Sequence, residues 1–241
     1  MQAIASAEPA PFNDYALSRD AAYCELPAAC IFLDIKSDRY LLICGQQADW
    51  FRQVRGAASG HEISAEARKF AGILASKGIL VPGRGDGKPI APFRKCPPTG
   101  SVLEPPSAAR RNATLPGMFR LLQSLAYCAA LQRRPHIAAC LAAVGRWKGQ
   151  MEGRRPAPPE RVAELARQFH AASPLFFSAQ DACLFRSLLL LRYLTLRGAA
   201  PDLVFGVRLS PFLAHCWIQY RGIVLNDHLE SAASFTPILA V

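Results

Sequence analysis

The stretch CLFRSLLLLRYLTLRGAAPDLVFGVRLSPFLAHCWIQYRGIVLND, residues 183–227, decides the fold of the second half of the chain. Its first part predicts a helix that ends before Gly198 and carries leucines almost all round, as a buried helix does. The segments DLVFGVRL, AHCWIQYR and GIVLND then predict three short strands. Arg221 and Gly222 predict a tight turn between the last two strands. We therefore expect a helix followed by an antiparallel sheet.

Three more helices are predicted upstream of this stretch. They cover LPGMFRLLQSLAYCAALQ, PHIAACLAAVGRWKG and PPERVAELARQFHAA, and proline opens two of them. We assign residues 116–241 to one domain, with helices first and the antiparallel sheet after them. Residues 83–115 are rich in proline and contain few periodic apolar side chains, so we predict a solvated linker there.

The first 82 residues predict a smaller domain. From Ala21 to Ile43 two apolar runs rich in aromatic and β-branched residues flank a turn signal at Lys36-Ser37-Asp38, which indicates a hairpin. The segments GQQADWFRQVRG and SAEARKFAGILASKG follow with apolar residues at helical spacing. Strands followed by helices in about eighty residues describe a small α+β module.

Composition limits the classes of function. The chain has 241 residues, a formal net charge of +10 and 51% hydrophobic residues. Its basic excess is spread along the chain without a block of like charges, which favours a solvated surface over nucleic-acid binding. The sequence lacks a recognisable signal segment or membrane-spanning run, so we expect a cytoplasmic protein whose eight cysteines are reduced. The closest metal-like spacing, His136 with Cys140, does not predict a metal site.

Three residues of the opening stretch carry the predicted chemistry. Cys183 stands at the start of the buried helix, where the helix dipole lowers the pKa of a thiol. His215 begins one strand and Asp227 ends the next, and an antiparallel hairpin brings these two positions to the same edge of the sheet. Nucleophilic cysteine chemistry needs a thiolate, a base and a group that orients the base. The sequence therefore predicts Cys183, His215 and Asp227 as a catalytic triad.

Other residues near the predicted triad have expected places of their own. The backbone N–H of Cys183 is expected to stabilise the oxyanion, and Gln180, in the loop before the helix, is the candidate for the second donor. Side chains alternate along a strand, so Cys216 is expected to face away from His215, into the core, without touching the triad.

The same stretch resembles the leader peptidase of lasso-peptide biosynthesis, the B-type maturation protein with a transglutaminase-like fold. Similarly, DRYLLICGQQADWFRQVRG resembles a strand and helix of the leader-recognition domain shared with the small chaperone of pyrroloquinoline quinone biosynthesis. The likeness covers about residues 15–82 and 116–241. The residues that carry it in the second half are Cys183, Leu184, Arg186, Ser187, Gly198, Gly206, Val207, Arg208, Pro211, Phe212, Ala214, His215, Trp217, Asn226 and Asp227.

The resemblance implies an α+β architecture with a division of labour between two domains. A small winged-helix-like leader-recognition domain, residues 1–82, would be joined by the linker to a papain/transglutaminase-like cysteine peptidase domain, residues 116–241. The first domain would bind the leader as an added strand, and a basic surface around Arg39 and Lys69 would suit an acidic leader. The residues expected to pair with the leader and to close the groove over it are Arg39, Tyr40, Leu41, Leu42, Ile43, Phe70 and Leu74.

The function implied by the resemblance is removal of the leader from a ribosomally made lasso-peptide precursor in a bacterial cytoplasm. The freed amino group would pass to a partner cyclase resembling asparagine synthetase, which activates a side-chain carboxylate with ATP. The chain itself is expected to bind no cofactor, nucleic acid or membrane. A pocket for threonine, the usual penultimate residue of such leaders, is expected near the nucleophile.

Two other functions are compatible with the same residues. A thioester on Cys183 can be captured by an amine instead of water, which would make the chain a transglutaminase-type acyl transferase. The product, an amide or a free leader acid, distinguishes the two reactions. A non-catalytic scaffold that binds leader and cyclase would carry the triad without using it, and a Cys183→Ala protein that supports full maturation would establish that function.

Overall fold

Two compact units make up the protein, one ending at Pro92 and the other beginning at Phe93. Each unit combines helices with strands, which confirms the predicted α+β class. The computed structural model describes residues 15–57, 62–83, 85–104, 115–132, 136–172 and 183–241.

The first unit contains two small sheets. Its strands are β1 (Tyr15–Ser18), β2 (Ala21–Leu26), β3 (Ala29–Asp34), β4 (Arg39–Cys44), β5 (Leu80–Pro82) and β6 (Gly87–Lys88). Strands β2, β3 and β4 form an antiparallel sheet in that order, while β1 lies between β5 and β6 in the other sheet. The predicted hairpin between β3 and β4 is confirmed, and Asp38 adopts a positive φ of 53° in its turn.

Helices α1 (Gln46–Ala57) and α2 (Ala65–Ser76) complete the first unit at the predicted positions. The hydroxyl of Ser64 caps α2 by accepting a hydrogen bond from the N–H of Ala67 at 3.2 Å, which satisfies one of the donors left open at a helix start. Aromatic rings of Tyr23, Phe32 and Phe51 meet in the core with centroid separations of 4.9 to 5.4 Å. The helices and the three-stranded sheet thus share one apolar core.

The second unit places helices around and against one larger sheet. Its elements are β7 (Gly100–Ser101), α3 (Leu115–Gln132), α4 (Ile137–Gly149), α5 (Pro159–Ala172), α6 (Cys183–Thr195), β8 (Asp202–Arg208), β9 (Leu213–Tyr220), β10 (Ile223–Val224), α7 (Leu229–Ala233) and β11 (Thr236–Ala240). The described strands form the order β11-β8-β9-β10-β7, with every pairing antiparallel except β10 with β7. Helix α6 contacts α3, α4 and α5 as well as β8 and β9, which explains why its leucines are buried all round.

Part of the predicted linker is ordered within the two units. Gly87–Lys88 pairs with β1, and Gly100–Ser101 pairs with β10. Lys95 forms a 2.7 Å ion pair with Asp202, the first residue of β8. The expectation of a solvated tether is therefore corrected for residues 85–104. The two strands have only two residues each, too short for the period-two signal by which a strand is recognised in a sequence.

A glycine determines how the sheet packs on the side away from α6. Trp217 on β9 is fully buried there in a cluster with Val204 and Val224, and Phe235 packs against this cluster. A Cβ atom on Gly206 would lie 2.7 Å from the indole of Trp217 and 2.9 Å from the Cβ of Phe235. Because real Cβ contacts do not approach so closely, only glycine at this position lets the indole lie against β8.

Candidate active site

Cys183, His215 and Asp227 lie together in the second unit, and we refer to these three residues as the triad cluster. The Nε2 atom of His215 lies 2.6 Å from Oδ2 of Asp227. The imidazole also interacts electrostatically with the thiol of Cys183, because His215 contributes to lowering the pKa of the thiol and Cys183 contributes to raising the pKa of the imidazole. About a fifth of each of the His215 and Asp227 side chains is exposed, so the cluster is shielded yet reachable.

The β9–β10 hairpin brings His215 and Asp227 together as predicted. Arg221 and Gly222 adopt positive φ angles of 48° and 85°, the conformation of a tight two-residue hairpin turn. Past β10 the chain stays beside β9, because the N–H of Leu225 donates to the carbonyl of Ile218 at 2.8 Å. The residues that follow therefore reach the start of β9, where His215 stands.

Electrostatics within the cluster favour a charged pair. The pKa of the Cys183 thiol is lowered to about 4, first by the hydrogen bond with the Cys216 thiol and then, against the effect of burial, by the hydrogen bond and charge of His215. The pKa of His215 is raised to about 9, first by its hydrogen bond to Asp227 and then by its hydrogen bond to Cys183. At neutral pH the cluster therefore holds a thiolate beside an imidazolium, the reactive form of a cysteine nucleophile.

The carboxylate of Asp227 is held by several donors. Burial alone would raise its pKa, but hydrogen bonds from His215, from the hydroxyl of Ser231 and from the N–H of His228 lower it overall. Ser231 donates to Oδ2 at 2.9 Å, the same oxygen that faces His215. The main chain is held too, because the hydroxyl of Ser101 on β7 donates to the carbonyl of Asp227 at 2.6 Å. These contacts fix the carboxylate that orients the imidazole.

We expect Ser231→Ala to lower kcat about tenfold with little change in KM, because the loss of a hydrogen bond to a charged group loosens the position of Asp227. Ser231→Thr, which keeps the hydroxyl, should restore kcat. The measurement is steady-state kinetics of the reaction that depends on Cys183, together with the melting temperature of each variant. Equal losses in the alanine and threonine variants, or a loss that follows the melting temperature, would contradict a positioning role for Ser231.

A hydrogen-bond network ties helix α6 to the sheet. The Asn226 side chain accepts from the N–H of Ile218 at 2.7 Å and donates to the hydroxyl of Ser187 at 2.8 Å. Ser187 in turn donates to the carbonyl of Cys216 at 3.3 Å. The helix that carries the thiol and the strand that carries the imidazole are thus held in a fixed register, which a catalytic geometry requires.

Cys216 does not have the place expected for it. Its side chain is buried, as predicted, but its Sγ lies 3.6 Å from Sγ of Cys183. The expectation that Cys216 does not touch the triad is therefore wrong. Alternation along β9 does turn Cys216 to the face opposite His215, and that face is the one against which α6 packs.

A cavity of about 560 Å³ opens beside His215. The guanidinium of Arg208 lies 5.2 Å from the centre of the Phe235 ring, and the Nε atom of Arg208 has no hydrogen-bond partner among the described residues. Polar and apolar groups thus both line a cavity that borders the triad cluster. Its lining residues are Arg208, His215, His228, Glu230, Ser231, Ser234 and Phe235.

The residues predicted to bind a leader lie in the first unit. Arg39 to Ile43 form strand β4, which pairs with β3 on one side, and no strand pairs with its other side among the described residues. Leu42 is 45% exposed on this strand. Phe70 and Leu74, in contrast, are 6% and 1% exposed and belong to the core, whereas Ile73 on the same helix is 44% exposed.

Several expectations concern groups that the structure does not test or describe. Gln180 lies outside the described residues, so its role as an oxyanion donor stays a prediction. Among the residues that are described, no group of three or more metal-ligating side chains is close enough to hold a metal ion. No described helix is both long and apolar enough to cross a bilayer.

Ser231 and Ser101 were not predicted from the sequence, although both hold Asp227. The spacing of Ser231, four residues after Asp227, would have suggested the first contact had helix α7 been recognised. Helix α7 has only five residues and β7 only two. Elements this short leave no periodic pattern in the sequence.

Comparison with protein families identifies the second unit. Residues 121–240, about half of the chain, match the model of the Transglutaminase-like superfamily. Comparisons with curated proteins and with solved structures give no significant match. The fold of this superfamily serves cysteine peptidases and acyltransferases, in agreement with a cysteine-centred site.

Proposed function

We propose that the transglutaminase-like superfamily domain at residues 121–240 is a cysteine peptidase that removes the leader of a ribosomally made lasso-peptide precursor. One observation carries the proposal. The Nε2 atom of His215 lies 2.6 Å from the carboxylate of Asp227, and the pKa of the Cys183 thiol is lowered to about 4, first by Cys216 and then by His215. This is the arrangement of nucleophile, base and orienting group that amide hydrolysis by cysteine requires.

The reaction would proceed through a thioester. The Cys183 thiolate attacks the carbonyl carbon of the last leader residue, and the backbone N–H of Cys183 is a candidate donor to the oxyanion. The His215 imidazolium then protonates the leaving amine, which becomes the amino terminus of the core peptide. The resulting neutral imidazole takes a proton from water, the water attacks the thioester, and the leader leaves with a free carboxylate.

The cavity beside His215, which Ser231 and Ser234 help to line, suits the side chain of a leader residue close to the scissile bond. Ser231 and Ser234 provide hydroxyl oxygens, which can accept a hydrogen bond while they donate to Asp227 and to the carbonyl of Ser231. The hydroxyl of a small polar side chain such as threonine could donate to these oxygens, a contact that an apolar side chain cannot make. The cavity therefore supports the expectation of a threonine near the cleavage site.

The first unit supplies a surface on which the leader could bind as an added strand. The backbone groups along the outer edge of β4 have no strand partner in the described residues, which is the condition for strand addition. Exposed Leu42 on β4 and exposed Ile73 on α2 provide apolar contacts, and the exposed cations of Arg39 and Lys69 would attract an acidic leader.

We expect Leu42→Asp and Ile73→Asp each to weaken leader binding about tenfold, since each places a charge against an apolar contact of the peptide. Leu122→Asp, which alters a leucine of α3 with 46% exposure, is the matched control and should bind the leader as wild type does. Fluorescence anisotropy with a labelled leader peptide measures the affinities. Unchanged binding in both variants would contradict the proposed binding surface.

The experiment that tests the function is mass spectrometry of a synthetic precursor incubated with the full chain. Parallel reactions contain or omit the partner cyclase and ATP, which separates cleavage by this chain alone from cleavage that requires the partner. Release of the leader as a free acid supports hydrolysis. A leader found as an amide would instead identify acyl transfer to an amine, and an intact precursor in every reaction would contradict both.

A further inference from the structure

Two thiols meet at the start of helix α6. The Sγ atoms of Cys183 and Cys216 are 3.6 Å apart. Cys183 is partly accessible to solvent, whereas Cys216 is 3% exposed and buried between β9 and α6. Peptide hydrolysis by the proposed mechanism needs one thiol, so the sulfur of Cys216 has no part in that reaction.

We propose that Cys183 and Cys216 are a reversible redox pair, in which a peroxide converts the nucleophile into a Cys183–Cys216 disulfide that thiols reduce again. The loss of activity that this implies rests on the proposed function, whereas the disulfide depends on the two sulfur atoms alone.

Oxidation would begin at Cys183. Its thiolate is the accessible and ionised member of the pair, because its pKa is lowered to about 4, first by the Cys216 hydrogen bond and then by His215. The thiolate attacks one oxygen of hydrogen peroxide, an S–O bond forms, the O–O bond breaks, and the departing hydroxide takes a proton to become water. The product is a sulfenic acid on Cys183, two electrons more oxidised than the thiol.

Cys216 would then resolve the sulfenic acid. The pKa of Cys216 lies well above its ordinary value, first because of its hydrogen bond with the Cys183 sulfur and then because of burial. Once Cys183 is a neutral sulfenic acid, the first of these causes disappears. The Cys216 sulfur attacks the Cys183 sulfur, the S–S bond forms, the S–O bond breaks, and hydroxide leaves with the Cys216 proton as a second water.

The geometry permits the bond without rearrangement of the fold. The two sulfurs must approach by about 1.5 Å to reach the length of a disulfide, a movement within the reach of χ1 rotation of the two side chains. Cys183 is the first residue of α6 as the described residues define that helix. During this movement the hydrogen bonds of Ser187 with Cys216 and Asn226 keep helix α6 packed on strand β9.

Tryptic peptides test the proposal directly. Cleavage after the flanking arginines places Cys183 in residues 168–186 and Cys216 in residues 209–221, each as the only cysteine of its peptide. The full chain is treated with hydrogen peroxide at neutral pH, alkylated and digested. We expect these two peptides joined with loss of two hydrogens, about a tenfold or greater loss of precursor cleavage, and recovery of both thiols and activity with dithiothreitol.

Variants at Cys216 provide the second arm. In Cys216→Ala, and in Cys216→Ser of similar size, Cys183 should proceed to the sulfinic acid, which dithiothreitol does not reverse. Cys128→Ala, which removes another buried cysteine of the same unit, should recover as wild type does. Two results would overturn the proposal. One is sulfinic acid on Cys183 of the wild type together with an alkylated Cys216 thiol in the peptide of residues 209–221. The other is recovery of activity with dithiothreitol in the Cys216→Ser protein to the same extent as in the wild type. A cross-link in a protein that never cleaves the precursor would refute the proposed function and leave the redox pair standing.

Discussion

Cys183→Ala is expected to lower the rate of leader cleavage by at least about 10⁴-fold, because the thioester cannot form without the sulfur. Binding of the leader should stay within about twofold of wild type, since the proposed binding surface lies on β4 and α2 of the first unit. Single-turnover cleavage followed by mass spectrometry measures the rate, and anisotropy measures the affinity. The same variant also separates the peptidase from a non-catalytic scaffold.

Two further variants control this experiment. Cys128→Ala removes a buried cysteine of the same unit and should leave the cleavage rate unchanged, which shows that loss of a thiol elsewhere does not explain the effect. Cys183→Ser retains a side chain of similar size but with a hydroxyl that stays protonated, and should lose about 10³-fold or more. Full cleavage or full maturation by the Cys183→Ala protein would refute the peptidase and establish the scaffold function.

His215→Gln is expected to lower kcat/KM by about 10³-fold or more, because it removes both the base that forms the thiolate and the acid that protonates the leaving amine. Glutamine can still hydrogen-bond Asp227, so the carboxylate is not left without a partner. His136→Gln at the start of α4 is the control and should cleave as wild type does. Activity of His215→Gln within a few-fold of wild type would exclude the imidazole from the mechanism.

The pH dependence of the wild type and of the His215→Gln protein shows whether the Cys183 thiolate and the His215 imidazolium form an ion pair. In the wild type, activity should fall as pH drops through the Cys183 pKa of about 4, because the nucleophile is protonated, and as pH rises through the His215 pKa of about 9, because the acid loses its proton. Without the imidazolium, the pKa of Cys183 should rise. The rate of iodoacetamide alkylation of Cys183 against pH measures that shift, and an unchanged profile would contradict the ion pair.

The long elements of this protein were predictable from their own periodicity. Helices α3 to α6 and strands β8 to β10 lie where the apolar spacing and the Arg221-Gly222 turn predicted them. The His215 and Asp227 contact followed from the same pattern, because antiparallel pairing across a short turn fixes which residues meet. Chain order alone could not give the 2.6 Å distance, but it did identify the two partners.

Short elements and contacts between faces were not predictable in this way. Strand β7 and helix α7 bring Ser101 and Ser231 to Asp227, yet neither is long enough to show a period. The contact between Cys216 and Cys183 was not predicted for a different reason. Alternation gave the face of β9 on which Cys216 lies, but the identity of the element that packs against this face is a property of the folded domain.

The sequence by itself determined the α+β class, the principal helices and strands, and the residues of the triad cluster, because these depend on local periodicity, turn chemistry and hairpin pairing. Only the tertiary structure decided that a proline-rich segment supports Asp227, that Phe70 and Leu74 are core while Ile73 is exposed, and that two cysteine sulfurs meet at the predicted nucleophile. Such contacts join residues far apart in the chain, and their partners are selected by packing of the whole domain, on which local sequence carries no information.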